Sequence, residues 1–95
     1  MQNVMAEFKV KGGKLLRVKI AFEGNIIFQI QITGDFFIHP EEGLDAIEKV
    51  LVGLRLPLSA QNVEGLVDEI VTKENIIIMG FSPNDLAKLV AGALA

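Results

Sequence analysis

Nucleophilic catalysis needs a hydroxyl or thiol, a base to take its proton and a third group to orient that base. These parts barely exist in the 95 residues of this chain. It has no cysteine, a single histidine, His39, and two serines, Ser59 and Ser82, both placed where a helix would begin and so accounted for as caps. Asp35, His39, Glu41 and Glu42 form the one cluster with metal-ligand chemistry, since their oxygens and imidazole suit a divalent ion. An ion is not needed to explain them. An aspartate in a turn bonds local backbone donors, and glutamates in a first helical turn complement the helix dipole.

Gly12-Gly13-Lys14 has the flavour of a phosphate cradle. A P-loop, however, requires Gly, four spacers and Gly-Lys-Ser/Thr between a strand and a helix, whereas here Leu15 follows and a strand begins. The segment is no nucleotide site by itself, but it has a lysine and two backbone amides to lend to a phosphate bound by another molecule. Nucleic-acid binding is disfavoured, because Tyr and Trp are absent and the phenylalanines sit on apolar faces or at a turn.

The length suits one domain spanning residues 1–95, with a single core and no room for a deep enclosed substrate pocket. With 51% apolar residues and a mean hydropathy of +0.44, the chain has more apolar surface than a domain of this size readily hides. That implies a covering partner, either a second copy or a different subunit. The longest apolar runs, such as Ile76-Ile77-Ile78-Met79, fall far short of the roughly 20 residues of a membrane span. No secretory h-region opens the sequence, so the expected setting is cytoplasmic, without a membrane. The net charge of −3 hides an asymmetry: residues 1–22 hold Lys9, Lys11, Lys14, Arg17 and Lys19 against Glu7 alone, and the remainder is acidic. Such a basic edge either guards a strand against aggregation or steers an anionic partner.

Alternation and capping signals specify the elements that carry these residues. Residues 1–6 show no periodicity and read as a flexible lead-in, followed by a short edge strand over 7–11. A long hairpin over about 14–33 comes next. A three-residue loop at Glu23-Gly24-Asn25 pairs Phe22 with Ile26, Ile20 with Phe28, Val18 with Ile30 and Leu16 with Ile32, placing all eight on one face. A two-residue loop would set Val18 against Gln31 and mix the faces. On the opposite face Leu15, Ala21 and Ile27 accompany Arg17, Lys19, Gln29 and Gln31, so part of it could be covered by a partner.

Three helices are expected, over about 41–53, 59–72 and 83–94. Pro40 suits the first position of the first helix and Gly53 its end. Ser59 caps the second. Ser82-Pro83-Asn84-Asp85 starts the third, and a brief strand or buried connector covers 76–78. The fold class is α+β: a small antiparallel sheet backed by three helices. The stretch Gly34-Asp35-Phe36-Phe37 joins its β half to its α half, with Gly34 for the turn, Asp35 for local capping and two rigid apolar anchors.

Taken together, Gly12-Gly13-Lys14-Leu15, the hairpin, Thr33-Gly34-Asp35-Phe36-Phe37, Pro40-Glu41 and Glu48-x-x-Leu51-x-Gly53 resemble the accessory domain of lipoate-protein ligases over roughly residues 7–94. In archaeal two-subunit ligases this domain is a separate small subunit. The resemblance implies a fold similar to the SufE/NifU type, without the cysteine ligands of iron-sulfur scaffolds. It also implies a heterodimer with a catalytic large subunit that holds ATP, Mg2+ and lipoate and makes lipoyl-AMP before transfer to a lysine of an acceptor domain. This chain would supply no catalytic residue and no cofactor site of its own, and would meet acceptor domains only indirectly. Its part would be to help adenylation by shaping the partner's site. The residues implicated are Gly12, Gly13, Lys14, Gly34, Asp35, Phe36 and Phe37, with one phenylalanine in the core and one at the seam. The competing reading is a SufE/NifU-type binding module serving another assembly pathway.

Overall fold

In the computed structural model, which describes residues 1–12 and 14–94, the chain runs β1 (Gln2–Val10), β2 (Lys14–Glu23), β3 (Ile26–Gly34), β4 (Phe37–His39), α1 (Glu42–Leu51), α2 (Ala60–Lys73), β5 (Ile77–Met79) and α3 (Pro83–Ala93). The first three strands form an antiparallel sheet in the order β1-β2-β3, and β4 pairs with β5 in a second, two-stranded sheet. Helix α1 lies against β3, α3 against β1 and β2, and α2 bridges the two helices. The α+β class and the three helices are therefore as expected. The second sheet is an addition, made because the Ile76–Met79 run finds β4 as a partner.

The core follows from the alternation. Leu16, Val18 and Ile20 of β2 and Ile27, Ile30 and Ile32 of β3 are buried against Ile47 and Leu51 of α1, Val63 and Val67 of α2 and Leu86 and Val90 of α3. Each such side chain contributes about 1.5–3 kcal/mol on burial, so a truncation such as Ile47→Ala would cost about 2–5 kcal/mol. Among the described residues no helix is long and apolar enough to cross a membrane.

Three expectations are corrected. First, β1 starts at Gln2, and its residues pair from Gln2↔Phe22 to Val10↔Lys14. Residues 2–6 are thus ladder strand rather than lead-in, because Val4, Ala6 and Phe8 alternate inward against the helical layer. Second, the β2–β3 loop has two residues, Gly24-Asn25, with Glu23↔Ile26 and Phe22↔Ile27 beside it. A bulge between Ala21 and Phe22 then moves the register, giving Ile20↔Ile30, Val18↔Ile32 and Leu16↔Gly34. Phe28 is the extra residue, and it absorbs the face-mixing that a regular two-residue hairpin would cause. Ile27 is consequently 0% exposed, Phe28 is 57% exposed and Ile26 faces solvent, the reverse of the expected faces.

Third, Pro40 is not the first helical residue. Helix α1 begins at Glu42 with Glu41 as its cap residue, and the Pro40 carbonyl accepts from the Gly43 N–H at 2.9 Å. The other starts match the sequence reading. Ser59 Oγ accepts from the Asn62 N–H, while Ser82 and Asp85 form a reciprocal capping box ahead of α3, with Pro83 in its first turn.

Candidate functional site

The junction between the two sheets is built on two glycines. Gly34, at φ +146°, ends β3 where a Cβ would run into the Leu15 carbonyl oxygen, and that same oxygen accepts from the Asp35 N–H at 2.8 Å. Only glycine allows this close approach. Gly80, at φ +118°, closes β5 against the junction, where a Cβ would sit 2.9 Å from both the Asp35 carbonyl oxygen and the Phe36 Cβ. The bend is thus clamped between Leu15 on one side and Gly80 on the other.

Around this clamp Lys14, Gly34, Asp35, Phe36, Phe37, Met79 and Gly80 line one open groove. Five of the seven residues singled out from the sequence are therefore brought together. Gly12 is not among them. It sits at φ +102° in the β1–β2 turn with open space around it. Gly13 lies outside the described residues. Sequence reasoning missed Met79 and Gly80, which read as the end of a β-branched run. The usable signal was a glycine directly after a strand, since its role rests on a contact with a segment more than forty residues earlier.

The two phenylalanines differ in exposure. Phe36 is half-buried and meets Phe81 edge-to-face, with ring centroids 5.0 Å apart and planes at 81°. Phe37 points outward and is 61% exposed. In the β4–β5 ladder Phe37 pairs with Met79 and His39 with Ile77, so all four share one face. On it Ile77 is 57% and Met79 64% exposed. Ile38 and Ile78 point the other way, toward the core. The outer face of the small sheet is therefore three large apolar side chains with His39 at one corner, continuous through Phe37 and Met79 with the groove.

Asp35 does not cap through its side chain. Its backbone N–H makes the bond to Leu15, and no hydrogen bond reaches its carboxylate among the described residues. Lys14 is exposed at the groove, without an ion pair among the described residues. Likewise, no three His, Asp or Glu side chains gather as metal ligands would among those residues. The groove thus provides apolar contact area flanked by one ammonium and one carboxylate. That chemistry suits binding.

Glu48 and Gly53, the other members of the helical motif, lie away from the groove and fasten α1 to the edge of β3. The Glu48 carboxylate accepts from the Ile32 N–H at 2.8 Å, and the Gly53 N–H donates to the Ile27 carbonyl at 2.8 Å. The ladder continues with Ile27 N–H to Leu54 and Leu56 N–H to Asn25. Burial raises the Glu48 carboxyl above its ordinary value, the Ile32 hydrogen bond opposes that, and the Asp45 charge adds to it.

The family described as bacterial lipoate protein ligase C-terminus matches residues 3–90. Lipoate-protein ligase A subunit 2 of Thermoplasma acidophilum is 32% identical over 78 residues, covering 82% of this chain and 77% of that protein. A chain from the solved structure of an archaeal lipoylation system of Thermoplasma acidophilum, a bi-partite lipoate protein ligase and its E2 lipoyl domain, superposes with a TM-score of 0.75 at 26% identity. The superposition covers 94% of each chain. The match takes in both sheets, all but the end of the last helix and the whole glycine-clamped junction, and the chain belongs to the lipoate protein ligase C-terminus family.

Proposed function

We propose that this chain is the small, noncatalytic subunit of a two-part lipoate-protein ligase, and that it docks on a cytoplasmic catalytic subunit through the β4–β5 face and the adjoining groove. The carrying observation is the set of three large apolar side chains, Phe37, Ile77 and Met79, exposed on one face of a sheet too small to need them. Rigid apolar anchors around a clamped bend are what an interface centre requires. The catalytic subunit binds ATP, Mg2+ and lipoate and forms lipoyl-AMP. The small subunit favours the arrangement of that site in which adenylation proceeds, and transfer to the acceptor-domain lysine follows. Lys14, at the rim of the groove, is the residue placed to approach the partner's phosphate-bearing region.

The test is lipoyl-AMP formation by the catalytic subunit, given ATP, Mg2+ and lipoate, with and without this chain. The expected result is a clear rise on adding the chain, and a loss of that rise with Phe37→Ser although the variant still folds. Equal lipoyl-AMP formation without the chain would overturn the activating role.

A further inference from the structure

The face of the three-stranded sheet turned away from the helices carries a second surface, which does not depend on the ligase reading. Two cross-strand rows run over it, Asn3–Ala21–Gln29 and Met5–Lys19–Gln31. Directly opposed residues have Cβ atoms about 4.5–5.5 Å apart. The small Ala21 therefore leaves a depression between the Asn3 and Gln29 amides, with Lys19 and Gln31 along the next row, and these residues line one groove. In the row beyond, Arg17 Nε donates to Glu7 Oε2 at 2.7 Å. That pair engages the only carboxylate in residues 1–22. Lys19 is left without an acidic partner among the described residues.

Edge protection does not account for this charge. It explains Lys9 on β1, an edge strand, but β2 is the central strand with a neighbour on each side, and it presents Arg17 and Lys19 on the same face. The acidic surplus of the chain lies elsewhere, with Glu64, Asp68 and Glu69 on α2 and Glu42 and Asp45 on α1. The molecule measures 33 × 28 × 21 Å, so its thinnest dimension exceeds two Debye lengths of about 8 Å at physiological salt. The basic sheet face and the acidic helical side consequently act as separate surfaces on a partner that covers only one of them. An extended nucleic acid would reach both and meet the net charge of −3, and on this side of the sheet it would find a single exposed ring, Phe28, rather than successive rings for its bases to stack on.

We propose that this sheet face docks an acidic protein segment, one Asp or Glu carboxylate of which seats over Ala21. There it meets the Lys19 ammonium and the side-chain amide donors of Asn3 and Gln29, a charge-assisted arrangement with a defined position. The charge sets the attraction and the depression sets the register.

The experiment is fluorescence anisotropy of a labelled hexaglutamate peptide with the full chain. Saturable binding is expected at about 50 mM salt, falling about tenfold or more by about 300 mM, as exposed charge pairs are screened. Lys19→Glu should weaken binding about tenfold, and Ala21→Leu, which fills the depression and keeps every charge, should weaken it to a similar degree. The pair Lys73→Glu and Lys88→Glu on the helices should change it less than about twofold. Should Ala21→Leu not fold, amide shift mapping on the unaltered chain takes its place, with the largest shifts expected at Asn3, Ala21 and Gln29. Absence of saturable binding, equal loss with the helical lysine changes, shifts centred elsewhere, or tighter binding of a single-stranded oligonucleotide of equal charge would each overturn the proposal.

Discussion

The Glu48 carboxylate on α1 accepts a hydrogen bond from the Ile32 backbone N–H on β3 at 2.8 Å. Strand β3 is an edge of its sheet, so its outward N–H groups find no ladder partner beyond it. The side chain of Glu48 satisfies one of them, and the chain after α1 satisfies another, the Ile27 N–H, through the Leu54 carbonyl, while the Gly53 N–H donates to the Ile27 carbonyl. The helix is tied to the strand by its side chain at one point and by its backbone at another. Removing the acceptor leaves a partly buried donor unpaired, at a cost of about 1–3 kcal/mol. Glu48→Ala should therefore lower the unfolding free energy by about that amount, and Glu48→Gln, which keeps an acceptor, by well under half of it. Urea unfolding midpoints of the two variants check this.

The same residue gives a pH signature. Burial raises the Glu48 carboxyl above its ordinary value of 4.5, with the Asp45 charge adding to the rise and the Ile32 bond working against it. The folded state thus holds this proton more tightly than the unfolded chain does. The resulting stability is fully present below the unfolded value and is lost as pH rises through the raised folded value. Relative to Glu48→Gln, the unaltered chain should gain stability as pH falls from neutrality toward that ordinary value. A difference between the two that stays flat with pH would contradict the assignment.

Glycine substitutions should have opposite signs at two positions. Gly34→Ala combines a left-handed φ of +146° with a collision against the Leu15 carbonyl, and should cost more than about 2 kcal/mol. Gly65 lies inside α2 with no atom within 4 Å of an added Cβ. Gly65→Ala should stabilise by about 0.5–1 kcal/mol through helix propensity and a less flexible unfolded chain. Thermal unfolding of the two variants side by side gives the comparison.

Adjacent phenylalanines should separate stability from partner response. Phe36→Ala removes the half-buried ring that meets Phe81 and should cost about 2 kcal/mol. Phe37→Ala and Asp35→Ala, on exposed side chains, should each change stability by less than about 0.5 kcal/mol. For Asp35 this reverses the expectation of a capping side chain. Circular dichroism melts combined with the adenylation assay distinguish a folding residue from a contact residue at each position.

Much of this was legible because it is local. The caps at Ser59 and Ser82 rest on bonds across three residues, Ser59 to Asn62 and Ser82 to Asp85, so the residue types alone imply them. The alternation of Leu16, Val18 and Ile20 likewise marks the buried face of β2 from β2 itself. Among the residues singled out for a site, Lys14 and Gly34 to Phe37 do meet, because the end of β3 and the start of β2 are neighbours in any antiparallel hairpin of this length.

What tertiary structure decided lies where a residue has two admissible neighbours. Ile26, Ile27 and Phe28 are all apolar, so alternation does not say which faces inward. The pairing of Ile27 with Gly53 and Leu54 and the bulge at Phe28 settle it in favour of Ile27. Gln2 to Ala6 lack a strong pattern, and the free edge of β2 makes them a strand. Met79 and Gly80 belong to the groove only because β5 pairs with β4, a contact no local pattern contains. The sequence by itself determined the three helices, strands β2 and β3, the caps at Ser59 and Ser82 and the need for glycine at the junction, since propensity and capping act within a few residues. Register, the exposed apolar face of β4–β5 and the hook of Glu48 on Ile32 arose only on folding, because each depends on surfaces brought together from distant parts of the chain.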